Sequence, residues 1–392
     1  MRLAVFSHKP CWTSPDSPSG FATDGGFPMQ MRAISELFDE TILLVPCESE
    51  ARARGEMPLT GCNLRIQPLR PLRGTGIWRK AALPGWLLMN APRILRAFRQ
   101  ADAVHAPIPG DVGTIGMLLA QFARKPLFVR HCGNWANTRT VAERFWRHFM
   151  EHYAGGRTVV LATGGASEPP SAKNPDVRWI FSTSMTADEL AACGRARDLP
   201  EHDPRLIIAC RQEWAKGADK VIQSLPVVRQ RIGSIWLDVV GDGAALAGLR
   251  QLARDCGVAD RTCFYGKADH GRVLELLQRA DLFVFPTSSS EGFPKGVLEA
   301  LACGLPVVTT RVSVLPTLLE NGCGFLLDDS RPECIARTIV RCLTDRRQYR
   351  IMSGNALATA ANYSLEKWRD TVGDLLTHAW GPLKEKNGSQ PR

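Results

Sequence analysis

Short apolar runs alternate with segments of helical periodicity along most of the chain. In the first half, strands are predicted at 3–7, 41–46, 103–106 and 126–130, and a helix is predicted at 28–37. Apolar runs of this length, separated by amphipathic stretches, are typical of parallel βαβ units with both sheet faces covered. The first half therefore predicts a parallel sheet with crossover helices.

The alternation is more regular in the second half. Strands are predicted at 206–210, 234–240, 262–265, 281–285 and 306–309, and helices at 218–231, 246–256, 272–279 and 296–303. This order predicts a doubly wound α/β sheet. A polar stretch at 194–205 separates the two halves and is interpreted as a linker.

A chain of 392 residues exceeds the usual size of one hydrophobic core, so two domains are expected. The predicted parts are an N-terminal domain (1–193), the linker (194–205), a C-terminal domain (206–365), a final helix (366–382) and a disordered tail (383–392).

The composition, with 44% hydrophobic and 22% charged residues, is that of a globular protein. The chain shows no secretory signal and no apolar run of about 20 residues, so a cytoplasmic location is expected. The 12 cysteines form no C-x-x-C pair. Buried, reduced thiols are therefore favoured over a zinc site or a disulfide framework.

The net charge of +10 is concentrated in one stretch. Residues 61–100 contain no acid, and their cations are Arg65, Arg70, Arg73, Arg79, Lys80, Arg93, Arg96 and Arg99. With the interleaved Trp78 and Trp86, this mixture suits an anionic membrane surface, such as the inner face of a membrane, or a phosphate-bearing acceptor. A solvated face over ordinary core aromatics explains it equally well. No nucleic-acid-binding motif accompanies the charge.

Ligands collect at the carboxyl ends of the strands in such sheets, so the loops that follow the strands are the candidate binding loops. Arg211 and Lys216 follow the strand at 206–210, and two cations at this point suit a diphosphate. A pair of surface cations near a linker is the alternative. Gly241 opens a Gly-Asp-Gly turn after the next strand, which fits either close ligand approach or a tight turn.

The segment 291–308 holds two glutamates eight positions apart, Glu291 in a loop and Glu299 on the following helix. The N-terminus of that helix offers backbone N–H groups to an anion. Glu291 can accept hydrogen bonds from sugar hydroxyls, and Glu299 from a ribose. In the alternative interpretation, Glu291 is an acid at the start of the helix that interacts favourably with the helix dipole, and Glu299 is a solvated side chain.

This segment resembles the E-x7-E motif of retaining GT-B glycosyltransferases, and closely that of family 4. The stretch 206–329 is similar to that family's donor domain. Its order of parts is an Arg followed by Lys-Gly, the Gly-Asp-Gly turn, the run Ala-Asp-Leu-Phe-Val-Phe-Pro and the Glu-Gly-Phe loop. The resemblance implies an α/β fold class with two Rossmann-like domains facing across a cleft that holds the site.

Residue roles are carried over by this resemblance. Arg211 and Lys216 are expected to bind the donor diphosphate, Glu291 the transferred sugar, and Glu299 the ribose. The residues expected to line the phosphates and sugar are Gly241, Phe293, Pro294, Lys295 and Gly296.

The N-terminal half resembles the family at fewer positions. Gly25 and Gly26 correspond to the glycine-rich loop that closes over the donor phosphates. His131 stands where the family often has a histidine near the sugar, although a lone histidine at a strand end is often structural. The family's Asn-Gly-Val-Asp-like turn is replaced by Phe-Ser-Thr-Ser-Met-Thr at 181–186, so no contact is predicted there. The resemblance also implies that the final helix crosses back to the first domain.

No D-x-D triplet occurs in the chain, so a metal-independent reaction without a cofactor is expected. The implied function is retaining transfer of a hexose from a nucleoside-diphosphate sugar to a hydroxyl of a glycan or lipid-linked acceptor, in cell-surface glycan or glycolipid synthesis. The alternatives are a GT-B epimerase or hydrolase, and a non-catalytic scaffold that binds nucleotide or membrane. A Rossmann dehydrogenase is disfavoured because no G-x-G-x-x-G opens a helix after the first strand.

Overall fold

The computed structural model describes residues 1–48, 57–72, 74, 76–133, 135, 138, 140–166, 168–290 and 292–385. The chain divides into two compact units. The first unit takes in Met1–Thr163, Glu168–Ser184 and Leu365–Arg392, and the second takes in Gly164–Ser167 and Met185–Ser364.

The described part of the first unit is built on a ten-stranded sheet. Its strands are β1 (Arg2–Phe6), β2 (Cys11–Thr13), β3 (Phe21–Thr23), β4 (Glu40–Glu48), β5 (Met57–Pro58), β6 (Leu64–Leu69), β7 (Ala103–Ile108), β8 (Leu127–His131), β9 (Thr158–Thr163) and β10 (Val177–Ile180). The helices between them are α1 (Phe27–Ser35), α2 (Gly76–Gln100), α3 (Asp111–Phe122) and α4 (Val141–Tyr153). The parallel strands follow the order β10-β9-β8-β7-β1-β4-β6, and β2, β3 and β5 extend from the end of β4.

Both faces of this sheet are covered. The strands β7 and β8 are buried along their whole length, which explains their continuous apolar runs. Residues of α2, α3 and α4 share one core with one sheet face, and residues of α1 share another core with the opposite face. The short strands β2, β3 and β5 were not predicted, because two or three residues carry no readable period.

The second unit is built on a six-stranded parallel sheet in the order β13-β12-β11-β14-β15-β16. Its strands are β11 (Arg205–Ala209), β12 (Trp236–Val240), β13 (Thr262–Gly266), β14 (Leu282–Phe285), β15 (Val307–Thr309) and β16 (Gly324–Leu326). Its helices are α5 (Ala187–Cys193), α6 (Ala218–Ile232), α7 (Leu246–Asp255), α8 (His270–Arg279), α9 (Lys295–Ala302), α10 (Leu315–Leu318), α11 (Pro332–Thr344) and α12 (Arg346–Ala360). The strand order reverses between β11 and β14, which places the ligand-binding crevice of a doubly wound sheet there.

The stretch 194–205 lies inside the main segment of the second unit, Met185–Ser364, so its prediction as a linker between units is wrong. Arg197 explains the error. Its guanidinium donates hydrogen bonds to the carbonyl oxygens of Cys303 (2.9 Å) and Leu277 (3.4 Å), near the C-terminal ends of α9 and α8. A cation that satisfies helix-terminal carbonyls is structural, although its polarity indicates exposure when the sequence is considered alone.

The last helix, α13 (Leu365–Trp380), belongs to the first unit. Trp368, Val372 and Leu376 are buried in the core that α1 shares with the sheet. The predicted disordered tail begins too early, because Leu383 is buried and its carbonyl oxygen accepts a hydrogen bond from the N-terminal amine (3.0 Å). Residues 386–392 lie outside the described residues.

All twelve cysteines are free thiols. Cys303 and Cys342 are buried, as expected, whereas Cys62 and Cys132 are exposed. The expectation of reduced thiols therefore agrees with the structure, and the expectation of burial fails at these two positions.

Candidate functional site

The loops that follow β11 and β14 meet at the point where the strand order reverses. The backbone N–H of Ser288 donates to the carbonyl oxygen of Ala215 (2.8 Å), and the Thr287 hydroxyl donates to the same oxygen (3.2 Å). Gly217 adopts a left-handed conformation (φ 83°), and a Cβ added there would lie 2.4 Å from the carbonyl oxygen of Pro286. These contacts hold the two loops against each other.

The loop after β12 is tied to the same place. The backbone N–H of Gln212 donates to Asp242 (3.0 Å), and the carbonyl oxygen of Gln212 accepts from the N–H of Ala245 (3.0 Å). Gly241 has φ 117°, and a Cβ added there would lie 1.8 Å from the carbonyl oxygen of Cys210. Close approach of two loops thus requires glycine at this position, whether or not a ligand also approaches it.

The N-terminus of α9 packs directly against the end of β11. A Cβ added at Gly296 would lie 2.6 Å from the carbonyl oxygen of Ala209, so glycine permits this approach. Pro294 is the N-cap residue, and no side chain caps the helix. The first turn of α9 is therefore placed at the switch point with its positive dipole end toward the strand ends.

Two adjoining cavities lie along this edge of the second sheet, with volumes of about 340 and 410 Å³. Both are lined by Ala209, Cys210, Arg211 and Gly296. The smaller cavity is also lined by Lys216, Phe293, Pro294 and Lys295, and the larger by Gly241, Asp242, Lys267 and Glu299. The structure therefore brings together most of the predicted site residues of the second half.

The two predicted cations have different surroundings. Lys216 is buried, at 7% exposure, and its Nζ donates to the Ser289 hydroxyl (3.1 Å). The Arg211 side chain is 77% exposed and forms an ion pair with Glu213 (2.9 Å). The alternative of two surface cations is therefore wrong for Lys216, which lines the smaller cavity, whereas it describes the exposed Arg211.

Glu299 is not the solvated side chain of the alternative interpretation. Its side chain is 16% exposed, and one carboxylate oxygen lies 3.3 Å from Nδ1 of His270. The hydrogen bond with Glu299 is the largest cause of a raised pKa for His270. His270 therefore orients a carboxylate that lines the larger cavity.

Three site features were missed in the sequence. Gln212 is completely buried, and its side-chain amide donates to the carbonyl oxygens of Cys210 (3.0 Å) and Val240 (2.8 Å), which joins β11 to β12. Lys267 follows β13 directly and lines the larger cavity. Lys267 could have been found in the sequence, because ligands collect at the carboxyl ends of strands and Lys267 directly follows β13. Gln212 and His270 are recognisable only in the structure, through their contacts with strand-end carbonyl oxygens and with Glu299.

The remaining predicted site residues are Glu291, Gly25, Gly26 and His131. Glu291 lies outside the described residues. Gly25 (φ 72°) and Gly26, the N-cap of α1, belong to the first unit.

His131 also belongs to the first unit, at the carboxyl end of β8. It is buried, and its ring meets Trp135 edge-on with centroids 5.2 Å apart. Burial lowers the pKa of His131 to about 4, so the imidazole is neutral near pH 7. The geometry is that of a packed side chain at the edge of the first sheet.

Within the described ranges, no group of three or more His, Cys, Asp and Glu side chains is arranged to hold a metal ion. Every helix of the same ranges is too short or too polar to cross a lipid bilayer.

Sequence comparison assigns the chain to a family. The family described as glycosyl transferases group 1 matches residues 195–359. A GDP-mannose-dependent alpha-(1-6)-phosphatidylinositol monomannoside mannosyltransferase of Mycobacterium tuberculosis is 30% identical over 309 residues, which cover 76% of this chain and 74% of the relative. The chain belongs to the group 1 glycosyltransferases. A relative of the same name from Mycolicibacterium smegmatis is 26% identical over 303 residues, or 75% of this chain and 72% of the relative.

Solved structures confirm the fold class of this group 1 glycosyltransferase. Anabaena HepE in complex with UDP superposes with a TM-score of 0.70 at 16% identity, covering 96% of this chain and 99% of HepE. WaaG, a glycosyltransferase involved in lipopolysaccharide biosynthesis, superposes with a TM-score of 0.60 at 17% identity and the same coverage. The predicted GT-B fold class, two α/β domains with parallel sheets, is thus confirmed.

Proposed function

We propose that this group 1 glycosyltransferase is a retaining, metal-independent enzyme of the family 4 type. It moves a hexose from a nucleoside-diphosphate sugar to a hydroxyl of a glycan or lipid-linked acceptor in cell-surface glycan or glycolipid synthesis. The observation that carries the proposal is the pair of adjoining cavities at the β11–β14 switch point, with Lys216 and Lys295 lining one and Glu299 lining the other. The mycobacterial relatives, named for a GDP-mannose donor and a phosphatidylinositol mannoside acceptor, support this choice of substrates.

In this proposal, the donor lies across both cavities with its diphosphate in the smaller one and its nucleoside in the larger one. The diphosphate lies in the smaller cavity, against Lys216, Arg211 and the first turn of α9, where cations and a helix N-terminus meet an anion. The ribose lies in the larger cavity, where Glu299 accepts its hydroxyl hydrogen bonds and Lys267 borders the base. Arg211 exchanges its surface partner Glu213 for a phosphate when the donor binds.

The reaction breaks the bond between the anomeric carbon and the phosphate oxygen and forms a bond from that carbon to the acceptor oxygen on the same face. The acceptor proton passes to the departing phosphate oxygen. Lys216 and Arg211 stabilise the charge that gathers on the diphosphate, which is the contribution a metal makes in other enzymes. By its motif position, Glu291 is assigned to the transferred sugar.

The donor is tested by thermal shift with a panel of UDP-, GDP- and ADP-sugars. A ligand at about 100 times its Kd stabilises the folded protein by about 2.7 kcal/mol, which is easily measured. One class of nucleotide sugar is expected to raise the Tm more than the others. A panel without any shift contradicts the proposal.

The reaction type is tested with the selected donor and a lipid-linked mannoside acceptor. NMR of the product is expected to show the anomeric configuration of the donor, and a chelator is expected to leave the rate unchanged. Donor turnover that needs no acceptor indicates the epimerase or hydrolase instead, and an inverted product contradicts retention.

A further inference from the structure

Three helices cover one face of the first sheet side by side. The helix α2 contacts β6, β4 and β1, α3 contacts β1, β7 and β8, and α4 contacts β9. Because these strands follow the order β9-β8-β7-β1-β4-β6, the helices lie in the order α4, α3, α2. Arg79 of α2 pairs with Asp111 of α3 (2.8 Å), and Lys125 donates to the carbonyl oxygen of Phe98 (2.6 Å), which ties α2 to α3 at both ends. Their outward sides form one surface, here called the outer helix surface.

Large apolar side chains on the outer helix surface are exposed to solvent. Trp78 and Leu88 of α2 are 81% and 77% exposed, Phe122 of α3 is 94% exposed, and Val141 and Phe145 of α4 are 73% and 57% exposed. In contrast, α2 buries Trp86 in the sheet core. Single exposed apolar residues are ordinary, but several on adjacent helices mark an interaction surface.

The charge of the outer helix surface is positive. Lys80, Arg93, Arg96 and Arg99 of α2 are exposed, and no acid occurs between residues 61 and 100. The acids of α4 are engaged within that helix, Glu143 in the capping box with Thr140 and Glu151 with Arg147 (3.4 Å).

The basic stretch predicted from the sequence divides in two. Arg65 pairs with Glu40 (3.2 Å) and Arg79 pairs with Asp111, so these two cations serve the fold. Arg73 lies outside the described residues. Three of the four cations of the outer helix surface, Arg93, Arg96 and Arg99, come from the second half of α2, where Arg96 and Arg99 lie within about one turn of the exposed Leu95.

We propose that the outer helix surface binds an anionic lipid bilayer. Exposed aromatic and aliphatic groups interleaved with arginines allow apolar insertion at the level of the headgroups while the cations meet lipid phosphates. A protein partner would instead favour an apolar centre with a polar rim, whereas here the two kinds of side chain are mixed along α2. The inference rests on the proposed function in one respect, since a lipid-linked acceptor gives the enzyme a reason to reach a bilayer.

The test is flotation of the full chain with vesicles of phosphatidylglycerol and, separately, of phosphatidylcholine. Binding is expected to the anionic vesicles and to weaken as salt is added. The double variant Trp78→Ser/Phe145→Ser is expected to lower the partition coefficient by about tenfold or more. Arg96→Ala/Arg99→Ala is expected to lower it by about fivefold for each arginine.

Matched controls come from the second unit. Ile351 is 53% exposed on α12, and Arg346 and Arg347 are exposed on the same helix. Ile351→Ser and Arg346→Ala/Arg347→Ala remove the same kinds of group and are expected to leave vesicle binding unchanged.

Three results overturn the proposal: no binding to anionic vesicles, equal loss in the control variants, or vesicle binding unaffected by the surface variants. If the surface variants change only the molar mass in light scattering, the surface is an interface between copies of the chain and the proposal is wrong. Thermal shifts with nucleotide sugars on the same variants distinguish failure of the membrane proposal from failure of the proposed function. If the proposed function is wrong, no variant shows a shift, whatever its vesicle binding.

Discussion

Six parallel strands of the first sheet (β6-β4-β1-β7-β8-β9) repeat the connection order of the second sheet (β13-β12-β11-β14-β15-β16), but the two sheets use their carboxyl edges differently. In the second unit, backbone contacts join the loops after β11, β12 and β14, and charged side chains line the cavities between them. In the first unit, the polar side chain at the end of β8 is used for packing. Arg130 is buried, donates to Gln30 (2.9 Å) and lies over the ring of Trp368 of α13 (5.3 Å). Strand order thus marks where a ligand can bind, and the loops decide whether a site is built there.

The same contrast appears in the histidines. Burial lowers the pKa of His131 to about 4 and that of His105 to about 3 in the first unit. In the second unit, the hydrogen bond with Glu299 raises the pKa of His270. The first unit therefore buries neutral rings, whereas the second unit places a titrating ring beside a carboxylate at its site.

The largest expected effect tests whether the carboxyl edge of the second sheet is the site of sugar transfer. Lys216→Met keeps the buried stem of the side chain but removes the charge from the smaller cavity, so kcat/KM is expected to fall by about 10²–10³-fold. Steady-state kinetics with the donor identified by thermal shift measures this. Lys220→Met is the control, because Lys220 bonds Ser330 (2.7 Å) and does not line either cavity. A loss of less than threefold in Lys216→Met would remove Lys216 from the site.

The second prediction compares a crowded glycine with an open one. Gly241→Ala places a Cβ 1.8 Å from a backbone oxygen, and a loss of about 3 kcal/mol in the free energy of unfolding is expected. Gly25 in the first unit also has a positive φ (72°, against 117° at Gly241) but nothing lies within 4 Å of an added Cβ, so Gly25→Ala is expected to lose about 1 kcal/mol from the backbone alone. Urea denaturation measures both, and equal losses would show that the loops after β11 and β12 are not rigidly joined.

The third prediction concerns acid stability in the first unit. The folded-state pKa of His131 lies below its unfolded value of 6.5, so the unfolded chain binds more protons between these values. The stabilisation is therefore complete above pH 6.5 and is lost toward pH 4, by about 3 kcal/mol. His131→Asn is expected to flatten this dependence in urea titrations across pH, while His148→Asn on the exposed side of α4 leaves it unchanged. An unaltered slope in His131→Asn would place the titrating group elsewhere.

The smallest expected effect has the opposite sign and concerns His270. Because its folded-state pKa is raised, the pair with Glu299 stabilises the protein fully below pH 6.5 and this stabilisation is lost as pH rises through the raised value. The His270 side chain is 52% exposed, so solvent screening limits the effect to about 0.5 kcal/mol. His270→Asn and Glu299→Gln are expected to remove the same increment in titrations followed by denaturation. Different increments would mean that the two side chains do not act as a pair.

Much of the candidate site was predictable because parallel strands share a carboxyl edge. Residues that follow β11, β12 and β14 must lie close together, and this alone brings Arg211, Gly241 and the start of α9 to one place. Gln212 was not predictable, since its amide serves two strand ends rather than a ligand. The orientation of Glu299 was not predictable either, because its partner His270 comes from another helix.

The sequence by itself determined the alternation of strands and helices, since strands buried on both faces need continuous apolar runs and crossover helices need one apolar side. Tertiary structure alone decided that 194–205 is part of a domain and that position 241 needs glycine because a backbone oxygen lies close to it. It also decided that Lys216 is buried while Arg211 is exposed. The physical reason is range. Periodicity reports the average surroundings of a segment, whereas hydrogen bonds and close contacts depend on a partner brought near by the fold.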